Sequence, residues 1–222
     1  RSKQSMEGRY LLCALPETEF LHYSAVFSEA GMFPCCIALP DELYKYLLPI
    51  QHSRFTDESG HADGKGAWMV ADIENTFTRV YFYYNGELEY TRKIQFGGEM
   101  LTRSLMDVIA TPAGFIEPGY EEAKNVKEIV GFPDKNDPLK LECDTLLNAS
   151  QIHMMLEPKL RDLVFELRRS IRYYQQQSER NRIERLIITG GTALLKGLDS
   201  YIERHLKIRP HLFDPKDLDL PR

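Results

Sequence analysis

Residues 68–96 read WMVADIENTFTRVYFYYNGELEYTRKIQF, three runs rich in β-branched and aromatic residues, with Asn85-Gly86 between the second and third. Asn-Gly flanked by extended segments is the strongest short-range hairpin signal, because both central positions need positive φ and these residues tolerate it. The stretch therefore predicts an antiparallel meander, and a meander needs a second layer packed on it to be stable. That layer is legible further on. Residues 146–177 carry Leu156, Leu160, Leu163, Val164, Leu167, Ile171 and Tyr174 at helical spacing, the stripe of a long amphipathic helix that Pro158 should kink or restart.

A second constraint lies in residues 183–206, IERLIITGGTALLKGLDSYIERHL. Leu186, Ile187 and Ile188 form a run too short and too β-branched to prefer helix, and Gly190-Gly191 follows it, so the run reads as a buried strand. Beyond it, Leu195, Leu198, Ile202 and Leu206 recur at three- and four-residue steps, one face of a helix. Paired glycines at such a turn let the backbone take positive φ and let a ligand or a neighbouring strand come close.

The rest of the chain fills in around these units. Residues 9–15 (RYLLCAL) read as a strand, 16–30 as a helix stopped by Gly31, 33–39 as a strand and 41–48 as a helix with Asp41 at its N-cap, a β-α-β-α order. Residues 51–66 (QHSRFTDESGHADGKG) hold almost no large apolar side chains and read as a loop or linker. After Gly97-Gly98, residues 99–109 look helical; residues 119–131 give a short helix bracketed by glycines, 132–144 a loop, and 208–215 a closing strand-like segment. The expected division is a first unit over 1–50, a linker over 51–66 and a larger lobe over 67–222.

Several function classes are disfavoured by composition. The chain has 222 residues, 43% of them hydrophobic, enough for a real core, and a net charge of -5 leaves no global basic field to attract nucleic acid. No apolar run approaches the roughly 20 residues a bilayer span needs, and residues 1–10 lack the apolar core of a signal peptide. Of the cysteines, Cys13, Cys35, Cys36 and Cys143, the adjacent pair sits in an extended run where neighbours point to opposite faces, so buried thiols are expected rather than a metal site. Asp57, His61 and Asp63 lie in the polar loop without ligand spacing, and no Ser/His/Asp arrangement is legible. The basic and aromatic residues of 168–182 read as a helix with Ile171 and Tyr174 inward and a solvated arginine face.

Four stretches carry a resemblance: residues 70–105 (VADIENTFTRVYFYYNGELEYTRKIQFGGEMLTRSL), 119–131 (GYEEAKNVKEIVG), 166–177 (ELRRSIRYYQQQ) and 183–206. In this order and spacing they resemble the PilM family of actin-like type IV pilus assembly proteins, related to the cell-division protein FtsA. Residues 9–39 resemble the family's β-α-β unit, the end of its extra subdomain or of the adjoining first domain. The resemblance implies an α/β fold of the actin-like ATPase, ribonuclease H-like class, a mixed sheet with flanking helices. It also implies that this is a partial copy, the C-terminal lobe with part of the extra subdomain, because nothing here matches the family's first phosphate loop.

In such folds two hairpin turns pinch the nucleotide phosphates, and a carboxylate at the end of the first strand positions Mg²⁺. The resemblance assigns that carboxylate to Asp72, places Asn75 and Thr76 at a phosphate site, and sets Gly190, Gly191 and Thr192 beside the adenosine of bound ATP. Lys124 and Lys127, on the short helix after the meander, are weaker candidates for a nucleotide contact. One departure matters: the family typically reads Asp-Ile-Gly where this chain reads Asp72-Ile73-Glu74. A like charge a few ångströms from an anion costs on the order of 1–4 kcal/mol unless a cation intervenes.

The function implied is that of a scaffold at the cytoplasmic side of the inner membrane, binding the N-terminal tail of a PilN-type membrane partner, with residues 10–20 and 33–39 contributing one wall of the groove. ATP would hold the two lobes closed, and turnover is not required, so at most a weak ATPase is expected. Two alternatives share the fold: the cytoplasmic L-type component of a type II secretion system, in which loss of nucleotide binding would accommodate Glu74, and a kinase-like phosphotransferase, which needs a catalytic carboxylate that the sequence does not single out.

Overall fold

The computed structural model describes residues 14–34, 44, 66–111, 114–135, 147–178 and 182–213. The chain divides into two compact units, Arg1–Glu42 and Leu43–Arg222. The strands expected over 9–15 and 33–39, the helix over 41–48, the linker over 51–66 and all four cysteines fall largely or wholly outside the described residues.

In the first unit, helix α1 spans Glu17–Glu29, close to the expected 16–30. It stops where Met32 N donates to Phe27 O (2.8 Å) and Gly31 N to Ser28 O (3.0 Å), the paired bonds of a Schellman cap. None of its residues is buried.

The second unit is built on the predicted meander. Strands β1 (Ala67–Ile73), β2 (Thr78–Tyr84) and β3 (Glu87–Ile94) pair antiparallel in sequence order. Asn85 (φ 48°) and Gly86 (φ 82°) make the tight turn that joins β2 to β3. Strand β6 (Arg185–Thr189) lies parallel to β1, and β7 (Pro210–Leu212) parallel to β6, giving the order β3-β2-β1-β6-β7. Every residue of β1 is buried, as a central strand covered on both faces requires, and this is why AWMVADI runs apolar without alternation up to Asp72.

One sheet face, with Met69, Ala71, Ile73, Val80 and Phe82, is covered by helix α4 (Ala149–Ser178), whose Ile152, Leu156, Leu160, Leu163 and Leu167 are wholly buried. Each such side chain contributes about 1.5–3 kcal/mol on leaving water, and Phe82 stacks on Tyr174 with ring centroids 4.6 Å apart. Helix α4 begins at Ala149 because Asn148 and Gln151 cap each other: Gln151 N donates to Asn148 Oδ1 and Asn148 N to Gln151 Oε1, both at 2.9 Å. Pro158 lies inside an unbroken helix, on its exposed side. The other sheet face carries Trp68, Val70, Tyr81, Tyr83, Ile187 and Phe213, with Tyr44 packed against them.

Three expectations need correction. The helix after Gly97-Gly98, α2, spans only Gly98–Ser104. Its hydroxyls bond back into it, Thr102 Oγ1 to Gly98 O and Ser104 Oγ to Met100 O, a pattern that weakens a continuing helix, and Ile109–Thr111 is drawn off as β4 to pair with β5, Gly114–Ile116. Leu195 does not belong to the last helix, because a 3₁₀ turn covers Gly191–Leu194 and helix α5 runs only from Leu198 to Leu206. Gly197, at φ 82°, sets that later start, and a β-carbon there would sit 2.5 Å from Phe132 O. Finally, Gly190 takes positive φ but Gly191 does not. The short helix α3, Tyr120–Ile129, forms as expected.

Candidate functional site

The site grows from the parallel pair β1 and β6, whose register sets Asp72 beside Thr189 at the carboxyl ends of both strands. In an open α/β sheet this is the edge where a crevice forms. The chain then turns through Gly190, at φ 89° and ψ 164°, backbone that essentially only glycine adopts. A β-carbon on Gly190 would stand 2.5 Å from Ile73 O and 2.7 Å from Asp72 Oδ1. The carboxylate and the glycine corner, 118 residues apart in sequence, are therefore in direct contact.

The turn after β1 is held from behind by its carbonyls. Glu74 O accepts from Gly98 N (3.0 Å) and from Thr192 Oγ1 (2.9 Å), and Asn75 O accepts from Glu99 N (2.8 Å). In a planar trans peptide the N–H points opposite to the C=O, so the amides of Asn75 and Thr76 face away from α2, toward the exposed side of the turn. Gly97 and Gly98 permit the clamp, since β-carbons there would meet Asn75 O at 2.4 Å and Thr192 Oγ1 at 2.5 Å.

Beside the turn opens a cavity of about 430 Å³ lined by Asn75, Lys127, Glu128, Gly191, Thr192, Leu194 and Leu195. A β-carbon on Gly191 would meet nothing within 4 Å, so the backbone there is open to the cavity. Lys127 is held by α2: its Nζ donates to Thr102 Oγ1 (2.8 Å) and Gly98 O (3.3 Å), and burial lowers its pKa from the usual lysine value. Asp72, Thr76 and Gly190 are not among the described walls of this cavity. Asp72 alternates with Trp68 and Val70 and shares their sheet face, where the Tyr44 phenol donates to it. Burial raises the Asp72 pKa above the usual carboxylate value, the Tyr44 hydrogen bond opposes that, the Glu74 charge raises it further and Arg79 lowers it.

The structure thus gathers Asp72, Asn75, Thr76, Gly190, Gly191 and Thr192 around one turn and corner. It brings Lys127 to the cavity and leaves Lys124 off its described walls. Sequence reading missed Glu128, Leu194 and Leu195. No signal in either segment announces them; in the fold the α3 end closes on the segment before α5 at Gly131 and Gly197, where β-carbons would strike Lys196 and Phe132. Among the described residues no group of three or more His, Cys, Asp and Glu could hold a metal ion, and no helix is long and apolar enough to cross a membrane.

Comparison with known proteins agrees with this architecture. The family described as type IV pilus assembly protein PilM matches residues 51–218, more than half of the chain. A solved PilM-PilN type IV pilus biogenesis complex is similar at TM-score 0.62 and 18% identity, over 91% of this chain and 52% of that one. MreB5 of Spiroplasma citri bound to AMPPNP is similar at TM-score 0.55 and 18% identity (89% and 60% covered). The ethanolamine utilization protein EutJ of Carboxydothermus hydrogenoformans is similar at TM-score 0.51 and 20% identity (85% and 54% covered). The chain spans only about half to three fifths of the length of these structures. The sheet order, the covering helices and these likenesses give an actin-like fold, and with the family match over residues 51–218 the chain belongs to the PilM family of type IV pilus assembly proteins.

Proposed function

We propose that this chain is one lobe of a pilus-assembly scaffold that holds an adenine nucleotide with Mg²⁺ in the crevice at the ends of β1 and β6, and that binds the cytoplasmic N-terminal tail of a PilN-type inner-membrane protein. The observation that carries the nucleotide reading is the convergence of Asp72, Gly190, the Asn75–Thr76 turn and a 430 Å³ cavity from segments far apart in sequence. A cavity of that size is in the range of small-molecule sites.

The residues present fit such a ligand at three points. Leu194 and Leu195 offer apolar area for a base, the open backbone at Gly191 leaves room for a sugar, and Lys127 supplies a cation at the cavity wall. The amides of Asn75 and Thr76, turned outward by their anchored carbonyls, are donors suited to phosphate oxygens. Asp72 would orient Mg²⁺ through its carboxylate, to which the Tyr44 phenol donates. Magnesium, when bound, would neutralise phosphate charge between the two lobes. The arrangement binds and orients, which suits a nucleotide used as a clamp rather than one consumed quickly.

The partner reading is supported by family membership and by the similar protein solved in complex with PilN. It is also supported by α1, which exposes Phe20, Leu21, Tyr23, Val26 and Phe27 and carries acidic residues in its first turn with no basic residue in its last. Such a surface suits a segment that is both apolar and basic. In this reading the protein works at the cytoplasmic face of the inner membrane, held there by its partner.

One two-armed experiment tests the proposal on the intact protein. In calorimetric titration with Mg-ATP, binding is expected, and Asp72→Ala should weaken it by about tenfold or more, the equivalent of one lost charge-assisted contact. In the other arm, a synthetic peptide of the partner's N-terminal tail should be retained by immobilised protein and released by Phe20→Asp. A folded protein that takes up no nucleotide refutes the first arm, and one that ignores the peptide refutes the second.

A further inference from the structure

We propose that Glu74 sets the charge selectivity of this crevice, admitting the nucleotide as its magnesium complex and discriminating against free polyanions in proportion to their charge. The inference rests on the nucleotide reading above and concerns what that site selects.

The position of Glu74 is fixed by its backbone. Its N–H donates to Phe77 O at 3.1 Å, and its carbonyl is taken by Gly98 N and Thr192 Oγ1. The side chain therefore leaves a clamped turn, and because alternate residues of an extended segment project to one side, it shares the side of Asp72 two residues earlier. The electrostatics agree, since the Glu74 charge is one cause of the raised Asp72 pKa. Glu74 is half-buried, so its field at the turn is only partly screened by water.

Opposing this pair near the turn is Arg79, whose guanidinium lies 4.8 Å from the centre of the Phe77 ring, with Lys93 over the same ring at 4.2 Å. Lys127 stands on the cavity side, its ammonium donating to Thr102 Oγ1 and Gly98 O. Two carboxylates thus lie close to each other at the strand end beside the turn, and a bare polyphosphate held at the Asn75 and Thr76 amides would meet like charge. A divalent cation carried in with the nucleotide reverses that sign. A carboxylate at position 74 makes the metal a condition of entry rather than an aid to it.

The mechanism makes a graded prediction. One unit charge about 7 Å from another at an effective dielectric of 20–40 changes affinity roughly ten- to fiftyfold. On the intact protein, dissociation constants for AMP, ADP and ATP are measured for wild type and Glu74→Gln, with excess magnesium and with chelator, after thermal melts show both proteins folded. Without metal, Glu74→Gln should tighten ATP by about ten- to fiftyfold, ADP by less and AMP, with about half the charge of ATP, by only about three- to sevenfold. With magnesium the gain should shrink to a few-fold for all three, and the metal dependence of ATP binding should be much shallower in Glu74→Gln than in wild type. An equal gain for the three ligands, or no gain for metal-free ATP, overturns the proposal. Weaker Mg-ATP binding by Glu74→Gln also overturns it, since it would make Glu74 a metal ligand. If wild type binds Mg-nucleotide and the charge gradient is missing, only this inference fails; if neither protein binds any nucleotide, the site reading fails and takes this inference with it.

Discussion

Replacing Gly190 by alanine tests the geometry on which the site depends. At φ 89° and ψ 164° an L-residue sits in backbone space that costs about 1–3 kcal/mol. The new methyl would also lie 2.5 Å from Ile73 O and 2.7 Å from Asp72 Oδ1, groups fixed in the central strand of the sheet, and such overpacking costs about 1–3 kcal/mol more. The sum, about 2–6 kcal/mol, is a large part of the 5–15 kcal/mol that holds a typical domain together. Trp68 is the only tryptophan and is buried on β1, four residues before Asp72, so its fluorescence reports the unfolding of this sheet directly. With an m-value of about 1–3 kcal/mol per molar urea, the midpoint should fall by about 0.7 M or more. Gly86→Ala is the control, because it has a similar φ of 82° but open space around its β-carbon, and it should cost only about 1 kcal/mol. If Gly190→Ala proves no more destabilising than Gly86→Ala, the close contact between the β6 corner and Asp72 is not there.

Two further substitutions probe charge and helix continuity. Burial raises the pKa of Asp72, so the unfolded chain releases that proton first, near pH 3.9, and the stabilising contribution, full below that pH, is lost as pH rises through the folded value. Asp72→Asn, fixed in the neutral state, should therefore melt higher than wild type at pH 7 and converge with it below about pH 4; a pH-independent gap in thermal midpoints refutes the assignment. Pro158 removes an amide from the ladder of α4 and crowds the carbonyl of Met154 on the exposed side of the helix, so Pro158→Ala should raise stability by about 1–3 kcal/mol in the same urea assay. A loss instead would mean that the proline shapes the curve on which the buried stripe depends.

What could be read from the residues was local, and what could not was made by packing. Asn85-Gly86 and the flanking β-branched and aromatic runs announced the meander, and the leucine stripe announced α4, because each signal is local in the sequence. The hairpin of β4 and β5 escaped notice because three residues per strand carry no measurable periodicity, and Ile109 completed a plausible helical pattern instead. Leu195 misled for the same reason: it falls on the helical spacing yet belongs to the segment that Gly197 separates from α5. In the site, Asp72 and Gly190-Gly191 were legible as motifs. Glu128 and Leu194 were not, because nothing in either segment indicates that the end of α3 closes against the 3₁₀ turn after β6.

The fold and the selectivity of the crevice rest on different atoms, and this makes them separable. Positions 97, 98 and 190 must be glycine for the protein's own sake, since a β-carbon at each would come within 3 Å of a neighbouring atom whether or not a ligand is present. Position 74 is different, because it enters the clamp only through its own main chain, its N–H donating to Phe77 O and its carbonyl accepting from Gly98 N and Thr192 Oγ1, so its side chain can change without disturbing the clamp. Position 191 is the complement: no protein atom lies within 4 Å of where its β-carbon would be, yet its backbone lines the cavity. Gly191→Ala should therefore leave the unfolding free energy in the urea assay within about 0.5 kcal/mol of wild type, as substitutions away from packing contacts do, while Glu74→Gln alters affinity and also spares the fold. A nucleotide affinity that drops in Gly191→Ala with no change in stability would then come from a ligand pressed against that backbone, whereas unchanged affinity would move the ligand away from the corner.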